Sequence, residues 1–82
     1  MELKNELEML ISQTLGCAVS LENDDNLMYD YGMDSIEIMS LIIAIEEKFD
    51  IEFELEDLDI ENLMILSKLG DAVARIFNRE NA

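Results

Sequence analysis

At 82 residues the chain is long enough for one small domain, and half of its residues are hydrophobic, too many for a disordered acidic tail. Acidic residues outnumber basic ones 20 to 5, and the resulting net charge of −15 excludes nucleic acid and anionic membrane surfaces as partners. Histidine is absent and cysteine occurs once, which removes Ser-His and Cys-His nucleophile activation, a His/Cys zinc site and any intramolecular disulfide. General acid–base work by paired carboxylates needs a pocket that raises one pKa, and a domain this small offers little room for one. An enzyme is therefore not expected. The charge itself has two readings, solubility and steering toward basic partner surfaces.

There is no proline and glycine occurs only three times, so long helices meet few breakers and an all-α fold is predicted. Leu3, Leu7, Leu10, Ile11 and Leu15 recur at helical spacing, and Gly16 is placed to end a first helix over residues 2–15. The N-terminus is polar and helical in pattern rather than a secretory signal, and the longest apolar stretch, Leu41 to Ile45, is too short to span a bilayer. A soluble, cytoplasmic protein is expected.

Residues 16–33 show no helical period, and a connection of this length in so small a domain is functional or disordered. Val19, Leu21, Leu27, Met28 and Tyr31 recur through it, which predicts that it packs over the helices, with Tyr29 and Tyr31 as anchors. Cys17, beside Ala18 and Val19, is expected to be a semi-buried small apolar residue. A calcium loop does not fit: Asp24, Asn26 and Met28 fill two of the first three ligand positions, and no glycine stands at the sixth.

The second helix, Asp34 to Phe49, is the most informative segment. Ile38, Leu41, Ile42, Ile45 and Phe49 form its core stripe, while Ile36, Met39 and Ile43 form a second stripe turned about a third of a circle away. That second stripe is either covered by the long loop or offered to a partner. Ile51 to Leu58 alternates briefly, but an isolated strand has nothing to pair with, so an extended segment leading into a short helical turn near 55–62 is predicted. The last helix runs from about Leu66 to Asn78 with Leu66, Leu69, Val73, Ile76 and Phe77 inward. Gly70 inside it costs about 1 kcal/mol relative to alanine.

At the start of the second helix, Gly32 can take a positive φ, and Asp34 or Ser35 can cap free backbone N–H groups. Capping alone would account for the pair. A helix N-terminus also favours a phosphate, so a phosphodiester on Ser35 would sit in a supportive field.

The run Asp30-Tyr31-Gly32-Met33-Asp34-Ser35-Ile36-Glu37-Ile38-Met39, continuing from Leu41 to Asp50, resembles the signature and following helix of the acyl carrier protein family. In that family a Gly-x-Asp-Ser-(Leu/Ile) motif precedes an apolar helix that ends in acidic residues and Phe. The likeness extends over the whole chain in the order of its elements. It implies a small three- to four-helix bundle with a long loop between helices 1 and 2, and one carrier domain over residues 1–82.

The resemblance further implies that Ser35 accepts 4′-phosphopantetheine from coenzyme A by way of a separate phosphopantetheinyl transferase. Asp34 matches the acidic residue that helps this transferase engage. Ile36, Glu37, Met39 and Ile43 match a partner-facing surface, and Glu46, Glu47, Glu56 and Asp57 match its acidic surroundings. A monomeric, non-catalytic carrier would then hold acyl or aminoacyl intermediates as thioesters. It would present them to basic docking sites on enzymes of fatty-acid, polyketide or nonribosomal peptide-type biosynthesis. Three departures lean toward a dedicated pathway: Ser40 stands where glutamate is common, Phe53-Glu54 replaces a proline, and Met64-Ile65-Leu66 replaces a polar cap before the last helix. The competing reading is an acidic helical adaptor or inhibitor that binds a basic partner through the second helix.

So many like charges repel one another. Thermal stability at neutral pH is expected to rise with moderate salt, and a melting temperature that stays flat from low to high ionic strength would contradict this.

Overall fold

Apolar residues at three- and four-residue spacing, uninterrupted by proline, wind into four helices in the computed structural model, which describes residues 3–81. Helix α1 spans Leu3–Leu15, α2 Ser35–Phe49, α3 Ile60–Leu63 and α4 Leu66–Glu80, with a 3₁₀ turn at Leu55–Asp57 before α3. Leu7 and Ile11 of α1, Ile38, Leu41, Ile42 and Ile45 of α2, and Leu66, Leu69, Val73 and Ile76 of α4 meet in one core. Burying each such side chain stabilises the fold by about 1.5–3 kcal/mol. The core stripe of α2 is thus as the periodicity predicts, although Phe49 and Phe77 are only partly buried.

The long connection is ordered by burial and by hydrogen bonds. Gly16 closes α1 with φ +78, its N–H donating to the Ser12 carbonyl at 2.8 Å. Leu21, Leu27 and Met33 then enter the core. The Leu21 N–H donates to Glu8 Oε2 at 2.8 Å, and Val19 N–H to Ser12 Oγ at 3.2 Å. Further along, Asn26 and Ile65 form an antiparallel bridge in which Leu27 N–H donates to the Met64 carbonyl at 2.7 Å and Leu66 N–H to the Asp25 carbonyl at 3.0 Å. Asp24 accepts from the Ser67 hydroxyl beside it.

These bonds explain two oddities of α4. Its N-cap, Ile65, has no side chain that can cap, and the loop backbone supplies the missing acceptor for Leu66 instead. Gly70 is the position against which Leu21 seats: a β-carbon there would lie 3.3 Å from Leu21 Cδ1. The glycine that lowers helix propensity makes room for the loop.

The segment after α2 reverses at Asp50, which holds a left-handed φ of 54. Ile51 and Phe53 are buried while Glu52 and Glu54 are exposed, so the alternation is real and the backbone extended. With no strand alongside among the described residues, carboxylates take its donors: Glu46 Oε2 accepts Phe53 N–H at 2.8 Å and Glu80 Oε2 accepts Glu52 N–H at 3.0 Å. The predicted helical turn near 55–62 is two pieces, divided where Asp59 caps α3 through the N–H of Glu61. The last helix continues to Glu80, two residues past the predicted end.

Asp57 holds the 3₁₀ turn. Its carboxylate accepts the Glu54 N–H at 2.9 Å and faces Arg79 at 3.1 Å and Arg75 at 3.7 Å, with only 7% of the side chain exposed. The Glu54 N–H, followed by the two guanidinium groups, holds its carboxyl below the ordinary carboxylate pKa against the opposing effect of burial. A depressed folded pKa contributes stability that is complete above the unfolded value of about 3.9 and is lost as pH falls below it. Asp57→Asn is expected to destabilise the protein at pH 7 by about 1–3 kcal/mol. It should also lose less of its remaining melting temperature than wild type between pH 5 and pH 3. Parallel acid limbs for the two proteins would show that Asp57 makes no such contribution.

Candidate functional site

Ser35 is delivered by a sequence of local constraints that begin at the bridge. Asn26 Oδ1 accepts the N–H groups of Met28 at 2.8 Å and Tyr29 at 3.0 Å, while Asp30 Oδ2 accepts the N–H of Asn26 at 2.7 Å. This reciprocal pair winds residues 27–31 into a helical turn, which Gly32 ends. At φ +74 its N–H donates to the Met28 carbonyl at 3.0 Å, a conformation that side chains with a β-carbon disfavour. Met33 drops into the core, its N–H on the Leu27 carbonyl at 3.0 Å. The chain then turns outward at Asp34.

Asp34 is the N-cap of α2, with extended backbone angles of φ −95 and ψ 177. Its Oδ1 accepts the Glu37 N–H at 2.8 Å, and Glu37 Oε1 accepts the Asp34 N–H at 3.0 Å, a closed capping box. Ser35 follows as the first helical residue and is exposed. The cap belongs to Asp34, so the Ser35 hydroxyl is not needed for it. With Glu37 N–H engaged, the backbone N–H groups of Ser35 and Ile36 remain at the positive end of a fifteen-residue helix. A phosphate ester on Ser35 fits here: the residue is exposed, and the first turn of a helix leaves the Ser35 and Ile36 N–H groups without intrahelical acceptors.

Around that point the apolar stripe is uncovered. Ile36 is 75% exposed and Ile43 51%, while Met39 between them is half-buried against the core. The long loop therefore does not bury Ile36 and Ile43, and α2 presents its second face outward. Glu47, on the same helix, and Glu56, on the 3₁₀ turn, are exposed. Glu37 is exposed but also serves the cap, and Glu46 is partly buried with its carboxylate on Phe53 N–H. Asp57 departs from the expectation of an outward docking charge, because the two arginines of α4 and the Glu54 N–H draw its carboxylate inward.

Two other positions, Cys17 and Tyr29, differ from the sequence reading. Cys17 is exposed rather than semi-buried, since the glycine turn at the end of α1 carries it away from the core. Tyr31 anchors the loop through its hydroxyl on Asp25 Oδ2 at 3.1 Å, and burial followed by Asp25 raises its pKa. Tyr29 does not anchor: it is 81% exposed. Among the described residues Leu55 is the most exposed of the large apolar ones, at the start of the helical turn expected near 55–62. The onset of the 3₁₀ turn at that residue breaks the alternation.

Comparison with known proteins adds to this geometry. Residues 5–77 match a family model described as a phosphopantetheine attachment site. An acyl carrier protein of Chlamydia felis is 32% identical over 81 residues, covering 98% of this chain and 97% of that protein. One of Nitratidesulfovibrio vulgaris is 31% identical, covering 98% of this chain and all of its own length, and one of Buchnera aphidicola subsp. Schizaphis graminum is 35% identical over 71 residues, covering 85% and 87%.

The capping role of Asp34 can be separated from any other role it has. Asp34→Ala removes the acceptor for Glu37 N–H and is expected to destabilise by about 1 kcal/mol, whereas Asp34→Asn retains a cap and should stay within a few tenths. Urea denaturation of the two variants checks this, and equal losses would contradict it.

Proposed function

We propose, from the premise that this chain belongs to the phosphopantetheine attachment-site family, that Ser35 is the residue to which the arm is joined and that residues 1–82 act as one carrier domain. The protein is a non-catalytic carrier with covalently attached 4′-phosphopantetheine. The observation that carries the assignment to Ser35 is its place as the exposed first residue of α2, released from capping by Asp34 and Glu37. In loading, Ser35 Oγ forms a bond to the phosphorus of coenzyme A that bears pantetheine. The link between the two phosphates breaks, adenosine 3′,5′-bisphosphate leaves, and the serine proton goes to solvent or to a base of the transferase. When bound, the arm supplies a terminal thiol that holds cargo as a thioester.

The chain's own residues position and advertise that arm. Asp34 and Glu37 fix the helix end, and the open N–H groups of Ser35 and Ile36 support the phosphate. Ile36, Met39 and Ile43 offer apolar contact to a partner enzyme, with Glu47 and Glu56 as exposed charges for its basic rim. Glu46 and Asp57 contribute by holding the neighbouring segment in place. The names of the relatives favour an acyl cargo. The neutral Ser40 and the unusual approach to α4 favour a stand-alone carrier in a dedicated biosynthetic pathway. No described helix is long and apolar enough to cross a membrane.

Incubating the apo-protein with coenzyme A and a broad-specificity phosphopantetheinyl transferase should add the mass of one pantetheine phosphate. Ser35→Ala should add none. An adduct that survives this substitution would move the attachment elsewhere.

A further inference from the structure

Leu55 is 89% exposed, yet side chains from two helices hold the segment that bears it. Asp57 ties the turn to its own Glu54 N–H and to Arg75 and Arg79, which are two of the five basic residues in the chain. Glu46 lashes the preceding residue pair to α2 through Phe53 N–H, and Glu80 holds Glu52 N–H. These bonds fix the backbone on both sides of a leucine that lies almost wholly outside the core. Holding an apolar side chain outward in one geometry reduces the entropy lost when a partner buries it.

The placement also fits what flanks it. Glu46 lies one turn beyond Ile43 on α2, about 16 Å along the helix axis from Ser35 at 1.5 Å per residue. An interface of about 800 Å² per side, roughly 30 Å across, is wide enough to take in both Ser35 and the segment tied to Glu46. Glu54 and Glu56, on either side of Leu55, are exposed and form no salt bridge among the described residues. A partner that binds coenzyme A must surround its phosphates with lysine and arginine, so the face it turns to Ser35 is basic.

We propose that Leu55 is a second apolar anchor for the phosphopantetheinyl transferase, separate from the α2 stripe, and that Asp57 is a positioning residue that presents it. The proposal rests on the carrier reading above and adds a recognition element outside α2. The anchor enters an apolar recess in the transferase, with Glu54 and Glu56 meeting basic side chains at its edge.

Initial rates of loading, followed by intact mass against carrier concentration at saturating coenzyme A, test it. Leu55→Ser should raise KM about tenfold and leave kcat within about twofold, since the lost contact lies away from the reacting atoms. Leu55→Met should restore most of the wild-type KM. Asp57→Asn, which keeps Leu55 but loosens the turn, should give an intermediate KM; a wild-type value there would remove the positioning role. Circular dichroism should be unchanged for the Leu55 variants, because the side chain has no core contact to lose. A KM for Leu55→Ser within twofold of wild type would overturn the anchor while leaving the carrier reading intact. Failure of the wild-type chain to take up any arm would overturn both.

Discussion

The antiparallel clasp between the loop and the start of α4 is the contact on which the placement of everything else depends. Two backbone hydrogen bonds, Leu27 N–H to Met64 and Leu66 N–H to Asp25, join parts of the chain that are far apart in sequence. On the loop side the clasp sets the Asn26 turn, hence Gly32, hence the direction in which the chain meets α2. On the helix side it supplies the acceptor that α4 lacks at its own N-terminus. The position of Ser35 is thus determined by an element lying outside α2, and the long connection is a structural member rather than a spare length of chain.

The acidic excess has a second use beyond solubility and steering. Glu8, Asp30, Asp34, Glu37, Glu46, Asp57, Asp59 and Glu80 each accept a backbone N–H that no neighbouring strand or helix serves. In a domain with few regular contacts outside its helices, side-chain carboxylates finish the backbone. The few cations are deployed with similar economy: Arg75 and Arg79 converge on one carboxylate, and Lys4 pairs with Glu22.

Much of this was legible in the residues. The α2 stripe, its second apolar face, the end of α1 at Gly16 and the capping potential of Asp34 all follow from periodicity and from side chains that act on their own backbone. Features that depend on distant partners were not. Nothing local distinguishes Gly70 as a seat for Leu21, or Ile65 as an N-cap rescued from the loop. Asp57 looks like any other surface acid until α4 brings two arginines to it. Tyr29 and Cys17 face solvent because of turn geometry at their neighbours.

Met33, buried in the core, leads directly into the Asp34–Glu37 box, so the backbone on both sides of Ser35 is held, by the core before it and by the helix cap around it. A tether joined to that serine has an immobile root. The volume its free end explores is then fixed by the length and stiffness of the tether alone, with no contribution from a yielding backbone. The local concentration of cargo at a docked enzyme becomes a property of where the carrier sits on that enzyme. A shift of a few ångströms in docking changes which active site the tether can reach.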